Sequence, residues 1–206
     1  MDVQRANQAV SSAIERLFDR EHGLVKLFAP PFSGHGKNPG YIRGYLPGVR
    51  ENGGQYTHGA VWLALACFRL GRGDEGMELL HALLPQTHPV ERYRAEPYVL
   101  AADVYAAAGY EGRGGWSWYT GASGWYCRTV MEALLGLSLK EGKLTLHPVL
   151  PRDWSGYHMT WHRPMGTLDI SVRRGEDKGL FLDGALVSGG VTLSALEGER
   201  RLELIF

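Results

Sequence analysis

Three short runs in this sequence combine charge, aromatic rings and glycine in ways that could do chemistry. The first, Arg50-Glu51-Asn52-Gly53-Gly54-Gln55-Tyr56-Thr57-His58, leads from a loop into an expected helix. Backbone N–H groups at a helix amino terminus are unpaired and the dipole is positive there, so this context suits an anion. A purely structural alternative stays open, with Arg50 and Glu51 as a surface ion pair and His58 hydrogen-bonded to a carbonyl. The second run, from Gly112 to Tyr126, sets Trp116, Trp118 and Trp125 among five glycines and again leads into a helix. Tryptophan faces stack on the apolar faces of sugars, and glycines let backbone amides approach a ligand. An oligosaccharide together with an anion is the ligand chemistry this suggests, against tryptophans that only fill a core under a loop. In the third run, Tyr93 to Tyr98, Glu96 falls at the start of an expected helix, with Asp103 two turns later on the same face. Glu96 can equally be an ordinary helix-start residue.

Other chemistries lack support. His81, His88, His147, His158 and His162 show no metal-ligand spacing on a common helix. No GxSxG, HExxH or GxxxxGK[ST] occurs, which removes the usual signatures of serine hydrolases, zinc proteases and nucleotide hydrolases. The 206 residues balance 22 Lys and Arg against 22 Asp and Glu, leaving no basic surplus for nucleic acid or an anionic membrane. No apolar run reaches the length of a membrane helix or signal segment. Cys67 and Cys127 are isolated, so buried free thiols and a reducing, cytoplasmic setting are expected.

The elements that must position these runs follow from periodicity. Ala9, Val10, Ala13, Ile14, Leu17 and Phe18 recur at helical spacing, predicting an amphipathic helix over about 3–19. Residues 28–54 carry Pro30-Pro31, Pro39-Gly40 and Pro47-Gly48, which predicts a long loop with a function. Thr57 is expected to cap a helix ending at Gly71, and Asp74 to open another that reaches Pro85, giving an α/α hairpin. Further helices are expected over Glu96–Ala108 and Ser123–Gly136. Beyond Leu137 the period changes to two. Strands are expected at 143–147, 158–162, 167–172, 180–183, 191–194 and 201–206, with Asp183-Gly184 as a hairpin turn. The fold class is therefore mainly α followed by β, with a helical part over 1–137 and an antiparallel β domain over 138–206. So few helices over a small sheet would leave an apolar flank uncovered, which predicts self-association or packing against a further segment.

The runs PGVRENGGQYTHGAVW (Pro47–Trp62), AEPYVLAADVY (Ala95–Tyr105) and GRGGWSWYTGASGWYCR (Gly112–Arg128), in this order, resemble the glycoside phosphorylases of glycoside hydrolase family ninety-four. With LFAPPF (Leu27–Phe32) and PGYIRGYLPG (Pro39–Gly48), they are most like the cyclic β-1,2-glucan synthase branch. The resemblance runs from about Ala6 to Phe206. It implies the carboxy-terminal portion of an (α/α)6 barrel followed by the family's small β domain. It also implies inverting phosphorolysis of a β-linked sugar, with inorganic phosphate as co-substrate and no other cofactor, or chain-length control in cyclic glucan synthesis.

Carried over by position, His58, Thr120 and Gly121 are implied to hold phosphate, and Arg50, Glu51, Gln55, Tyr56 and Glu96 to line the sugar site. Ala101 and Ala102 stand where cellobiose-type members have a glutamine, so cellobiose specificity does not transfer. The family's general-acid aspartate belongs to a tryptophan- and aspartate-rich segment upstream of the matched region. Before Pro47 this chain has only Asp2 and Asp19, neither in that context. The expectation is a carboxy-terminal piece of a larger enzyme, or a split gene product completed by another chain, inactive alone. A non-catalytic carbohydrate-binding module or degenerate remnant is the alternative, and a hydrolase using Glu51 with Glu96 or Asp103 a third.

Overall fold

A computed structural model describes residues 2–206 except His35, Lys37 and Tyr119, and of Thr120 the backbone only. The chain forms two compact units, Met1–Val130 and Met131–Phe206. Helices and small sheets share the first; in the second the regular structure is mostly strand.

In the first unit, α1 (Val3–Leu17) begins where Asp2 Oδ1 accepts from the N–H groups of Gln4 and Arg5, at 3.0 and 3.2 Å. These two bonds satisfy donors that a helix start leaves unpaired. Val10 and Ile14 bury its apolar face. The chain then turns through β1 (Phe18–Asp19) and β2 (Leu24–Val25), paired antiparallel. Among its described residues, the proline-rich stretch that follows is irregular apart from a short 3-10 turn at Gly40–Gly44. After β3 (Gln55–Tyr56) comes α2 (Thr57–Arg69), whose Ala60, Val61, Ala64, Cys67 and Phe68 are buried. Extended Tyr56, not Thr57, is the residue before the helix; Thr57 is its first residue. Gly71 at φ +75 ends the helix, and α3 (Gly73–Ala82) packs back on α2, giving the expected hairpin. The approach is close enough that a Cβ on Gly76 would lie 2.7 Å from the Phe68 ring. A single turn, α4 (Val90–Tyr93), follows.

The helix expected over Glu96–Ala108 does not form. That segment is a chain of turns and bends with a short strand, β4 (Asp103–Val104), at its centre, so Glu96 and Asp103 share no helix face. β4 pairs with β3 on one side, Tyr56 opposite Asp103. On its other side lie residues 112–116, through Gly115 N–H to Asp103 O and Tyr105 N–H to Arg113 O, both 2.8 Å. Alanine favours a helix by only tenths of a kilocalorie per residue, and partners on both edges override that preference. The apolar run Val99 to Val104 is also nearly continuous, a pattern that suits a buried strand as well as a helix. Then α5 (Thr120–Arg128) runs on into a wider π turn over Thr129–Leu134.

The second unit begins with a hairpin, β5 (Leu137–Lys140) and β6 (Lys143–Leu146), extended by β11 (Val191–Thr192) into a three-stranded sheet. The larger sheet contains β7 (Gly156–Arg163), β8 (Gly166–Arg173), β9 (Gly179–Leu182), β10 (Ala185–Val187) and β12 (Arg200–Ile205), in the order β10-β9-β12-β8-β7. Strict alternation buries Leu168, Ile170 and Val172 of β8, and they join Leu137, Leu144, Leu146, Val191, Leu196 and Leu202 in one core. Asp183 and Gly184, at φ +50 and +83, make the expected hairpin turn. The module is not wholly antiparallel: β12 inserts between β8 and β9 and runs parallel to β8. The intervening chain is long enough for the crossover that a parallel pair requires. Cys67 is buried as expected, whereas Cys127 is exposed. Among the described residues no helix is long and apolar enough to cross a membrane.

Candidate functional site

The three-stranded arrangement around β4 gathers all three chemistry-bearing runs. β3 carries the first run into α2, β4 belongs to the third, and residues 112–116 begin the second. Two buried amides fasten this frame. Asn52 is fully enclosed; its Oδ1 accepts from Phe32 N–H at 2.8 Å, and its Nδ2 donates to the carbonyls of Phe32 and Tyr45 at 3.0 and 2.8 Å. Gln55 Oε1 accepts from Val25 N–H at 2.8 Å, and its Nε2 donates to Thr57 Oγ1 at 3.2 Å. Gln55 is thus 1% exposed and lies behind the surface. Tyr56, half-buried, leads into α2.

His58 and Gly121, distant in sequence, meet. Each is the second residue of its helix, α2 and α5, and a Cβ on Gly121 would lie 3.8 Å from His58 Nδ1. Two helix amino termini therefore approach the same imidazole, whose Nε2 is buried with no hydrogen-bond partner among the described residues. Trp62 crosses the His58 ring edge to face at 4.8 Å, and Trp125 lies 6.0 Å away. Backbone N–H groups and an imidazole converging this way suit an oxyanion. Thr120 opens α5, but its side chain lies outside the described residues.

Arg50 occupies the left-handed region at φ +48 in a tight turn, closed by Asn52 N–H to Val49 O and Gly54 N–H to Arg50 O. Its guanidinium lies 5.6 Å over the Tyr45 ring and 5.5 Å over Trp116. Glu51 Oε2 is 3.5 Å from Arg50 Nε, and Asp103 Oδ1 is 3.9 Å from Nη1. Burial would lower the arginine pKa, but the Asp103 and Glu51 charges raise it above its ordinary value. Burial pushes the Asp103 carboxyl up, opposed by the Trp116 N–H and Arg50. Arg50 Nε and Glu51 Oε2 have no hydrogen-bond partner among the described residues. Both atoms are buried and face each other, and an ion pair beside aromatic faces can bind sugar hydroxyls through its remaining donors and acceptors.

Glu96 belongs to a third group. Its carboxylate turns to Ser117 and to Trp118, whose Nε1–H donates to Oε1 at 3.0 Å, and these bonds hold its pKa below the usual value. Trp118 is 65% exposed and meets the Tyr98 ring edge to face at 6.1 Å. Sequence reasoning passed over Tyr45 and the buried, fastening role of Asn52, and it placed Asp103 on a helix face with Glu96 rather than buried beside Arg50. A charged residue inside the apolar stretch LAADVY was the available sign for Asp103, since a buried carboxylate must have partners. Among the described residues, no three His, Cys, Asp or Glu side chains gather to hold a metal.

Residues 1–136 match the family model described as "Glycosyl hydrolase 94 superfamily, catalytic domain". The chain is 42% identical over 202 residues to the cyclic beta-(1,2)-glucan synthase NdvB of Rhizobium meliloti (strain 1021), covering 96% of this chain and 7% of that protein. It is 30% identical over 210 residues to the N,N'-diacetylchitobiose phosphorylase of Vibrio proteolyticus, covering 98% of this chain and 26% of that one. With the solabiose phosphorylase of Paenibacillus borealis the identity is 28%, over 91% of this chain and 25% of the relative. The chain thus spans between 7% and 26% of the length of these relatives, and the runs that build the candidate site lie within the matched residues: it belongs to the glycosyl hydrolase 94 superfamily.

Proposed function

We propose that this chain supplies the phosphate- and sugar-binding part of a carbohydrate-active site working on β-linked glucans, by inverting phosphorolysis to a sugar 1-phosphate or in chain-length control of cyclic β-1,2-glucan synthesis. The observation that carries this reading is the meeting of His58 with Gly121 at two helix amino termini, His58 Nε2 being buried and unpartnered. Phosphate, the only co-substrate proposed, would be held by His58, the Gly121 N–H and Thr120. Arg50, Glu51, Tyr56 and Glu96 would face the sugar, with Gln55 supporting them from behind. Names of relatives that are phosphorylases favour phosphorolysis, and the NdvB match favours the synthase branch. The helical residues 1–137 would be the carboxy-terminal portion of an (α/α)6 barrel and 138–206 its β domain. A further barrel portion, or a second copy of the chain, would cover the apolar flank. The general acid would come from outside these residues: Asp103 is 1% exposed, which also speaks against a hydrolase built on it.

Exposed Trp116 and Trp118, at 59% and 65%, give a second reading its footing, a binding module without turnover. The decisive experiment is phosphate-dependent release of glucose 1-phosphate from β-1,2-glucan oligosaccharides, by the chain alone and with a polypeptide supplying the upstream barrel half. Turnover only with the partner is expected, and His58→Ala should abolish it. Turnover by the chain alone overturns the assignment of the acid. Saturable glycan binding without turnover in either arm supports the module instead.

A further inference from the structure

Asp103 is a carboxylate that reaches no surface, yet it touches two of the groups that shape the sugar site. Its Oδ1 accepts from the Trp116 N–H at 3.0 Å and sits 3.9 Å from Arg50 Nη1. Its main chain is pinned as well, with its carbonyl accepting from Gly115 N–H and its residue paired with Tyr56 across β3 and β4. Gly115 closes over it: a Cβ there would lie 2.4 Å from Asp103 Oδ2, so only glycine leaves room for the carboxylate. The side chain is thus walled off by Gly115 and cannot meet a ligand directly. Its influence runs through Arg50 and Trp116, the cation and ring that face each other at 5.5 Å.

We propose that Asp103 is a positioning residue, the anchor that fixes the Arg50 guanidinium between the Tyr45 and Trp116 rings and so presets the sugar-binding cation. Three features require such an anchor. Arg50 has an unfavourable left-handed backbone, and its long side chain has several rotamers to lose. Glu51, its neighbour in sequence, comes no nearer to the guanidinium than 3.5 Å, at Nε. The stacking on two rings is only weakly directional. A buried carboxylate beside Nη1, tied to the backbone that carries Trp116, sets guanidinium and ring from one point. Glycine at 115 is the complementary requirement, and the alanines at 101 and 102 leave the strand free of competing polar side chains.

The role of Arg50 in sugar binding rests on the function proposed above, so the test has a ligand-free arm. In the whole chain labelled at arginine, the Arg50 Nε–Hε resonance is identified by its loss in Arg50→Lys. In wild type it should be ring-shifted by Trp116 and Tyr45. In Asp103→Asn, which keeps size and an acceptor for the Trp116 N–H but loses the charge, it should move to the position of a free arginine while circular dichroism stays native. Affinity for β-1,2-glucan oligosaccharides should fall about tenfold, as for loss of one charge-assisted contact. In an Asp103→Asn, Arg50→Lys double variant the loss should be no larger than in either single variant. An unmoved Arg50 resonance in Asp103→Asn overturns the proposal. If wild type binds no glycan, the functional reading fails and the resonance alone decides the positioning role. If Asp103→Asn does not fold, Gly115→Ala, which presses on the same carboxylate from above, must move the resonance, and its failure to do so overturns the proposal equally.

Discussion

Replacing Asn52 by alanine removes three hydrogen bonds at once, the acceptance from Phe32 N–H and the donations to the Phe32 and Tyr45 carbonyls. All three hold the proline-rich segment against the turn that carries Arg50 and Glu51. Each such bond is worth about 0.5–1.5 kcal/mol net, so their sum is about 1.5–4.5 kcal/mol. Phe32 is 38% exposed, so water can replace part of what its backbone loses, which places the expected cost near the middle of that range, about 3 kcal/mol. For a chain of this size that corresponds to a fall in Tm of about 6–12 °C. Urea and thermal unfolding of the whole chain, followed by tryptophan fluorescence, would measure it. Hydrogen exchange should at the same time show the Phe32 amide losing protection. Because Tyr45 loses its tether, its ring should also cease to shift the Arg50 resonance. A cost under about 0.5 kcal/mol with unchanged Phe32 protection would refute the reasoning.

Two other outcomes follow from the packing and the charges. Ile170→Ala empties a fully enclosed position between Leu168 and Val172, and should cost about 2–5 kcal/mol, read from Trp161 in the second unit; a loss below about 1 kcal/mol would contradict the core assigned here. Glu75 is hydrogen-bonded to Arg72, which outweighs burial and holds its pKa below the usual 4.5. Its folded-state pKa is depressed, so its contribution is present above its ordinary pKa and lost as the pH falls through the folded one. Glu75→Gln should therefore flatten the acid limb of the stability curve; with Glu75 38% exposed the effect stays below about 1 kcal/mol, and an unchanged slope would refute it.

Much of this molecule could be read along the chain. The apolar period of Val10 and Ile14, the glycine after Leu70 and the alternation of Leu168, Ile170 and Val172 are local signals, and local signals specify α1, α2, α3 and the β7–β8 hairpin. The residues of the site were legible as types, since His58, Gly121, Arg50 and Glu51 lie in runs whose order and wording identify the family. Their meeting was not. His58 reaches Gly121 because α2 packs on α5, and Arg50 reaches Trp116 where β4 lies between β3 and residues 112–116; alanine-rich sequence carries no mark of partners far along the chain. The parallel insertion of β12 beside β8 has the same origin, a long-range register that periodicity does not encode. In the sequence Gln55 and Asp103 are ligand-facing candidates and Asn52 a loop residue; none is marked as buried. Burial with satisfied or charge-paired groups turns them into the frame of the site, and burial is a property of how segments pack, not of the residues in order.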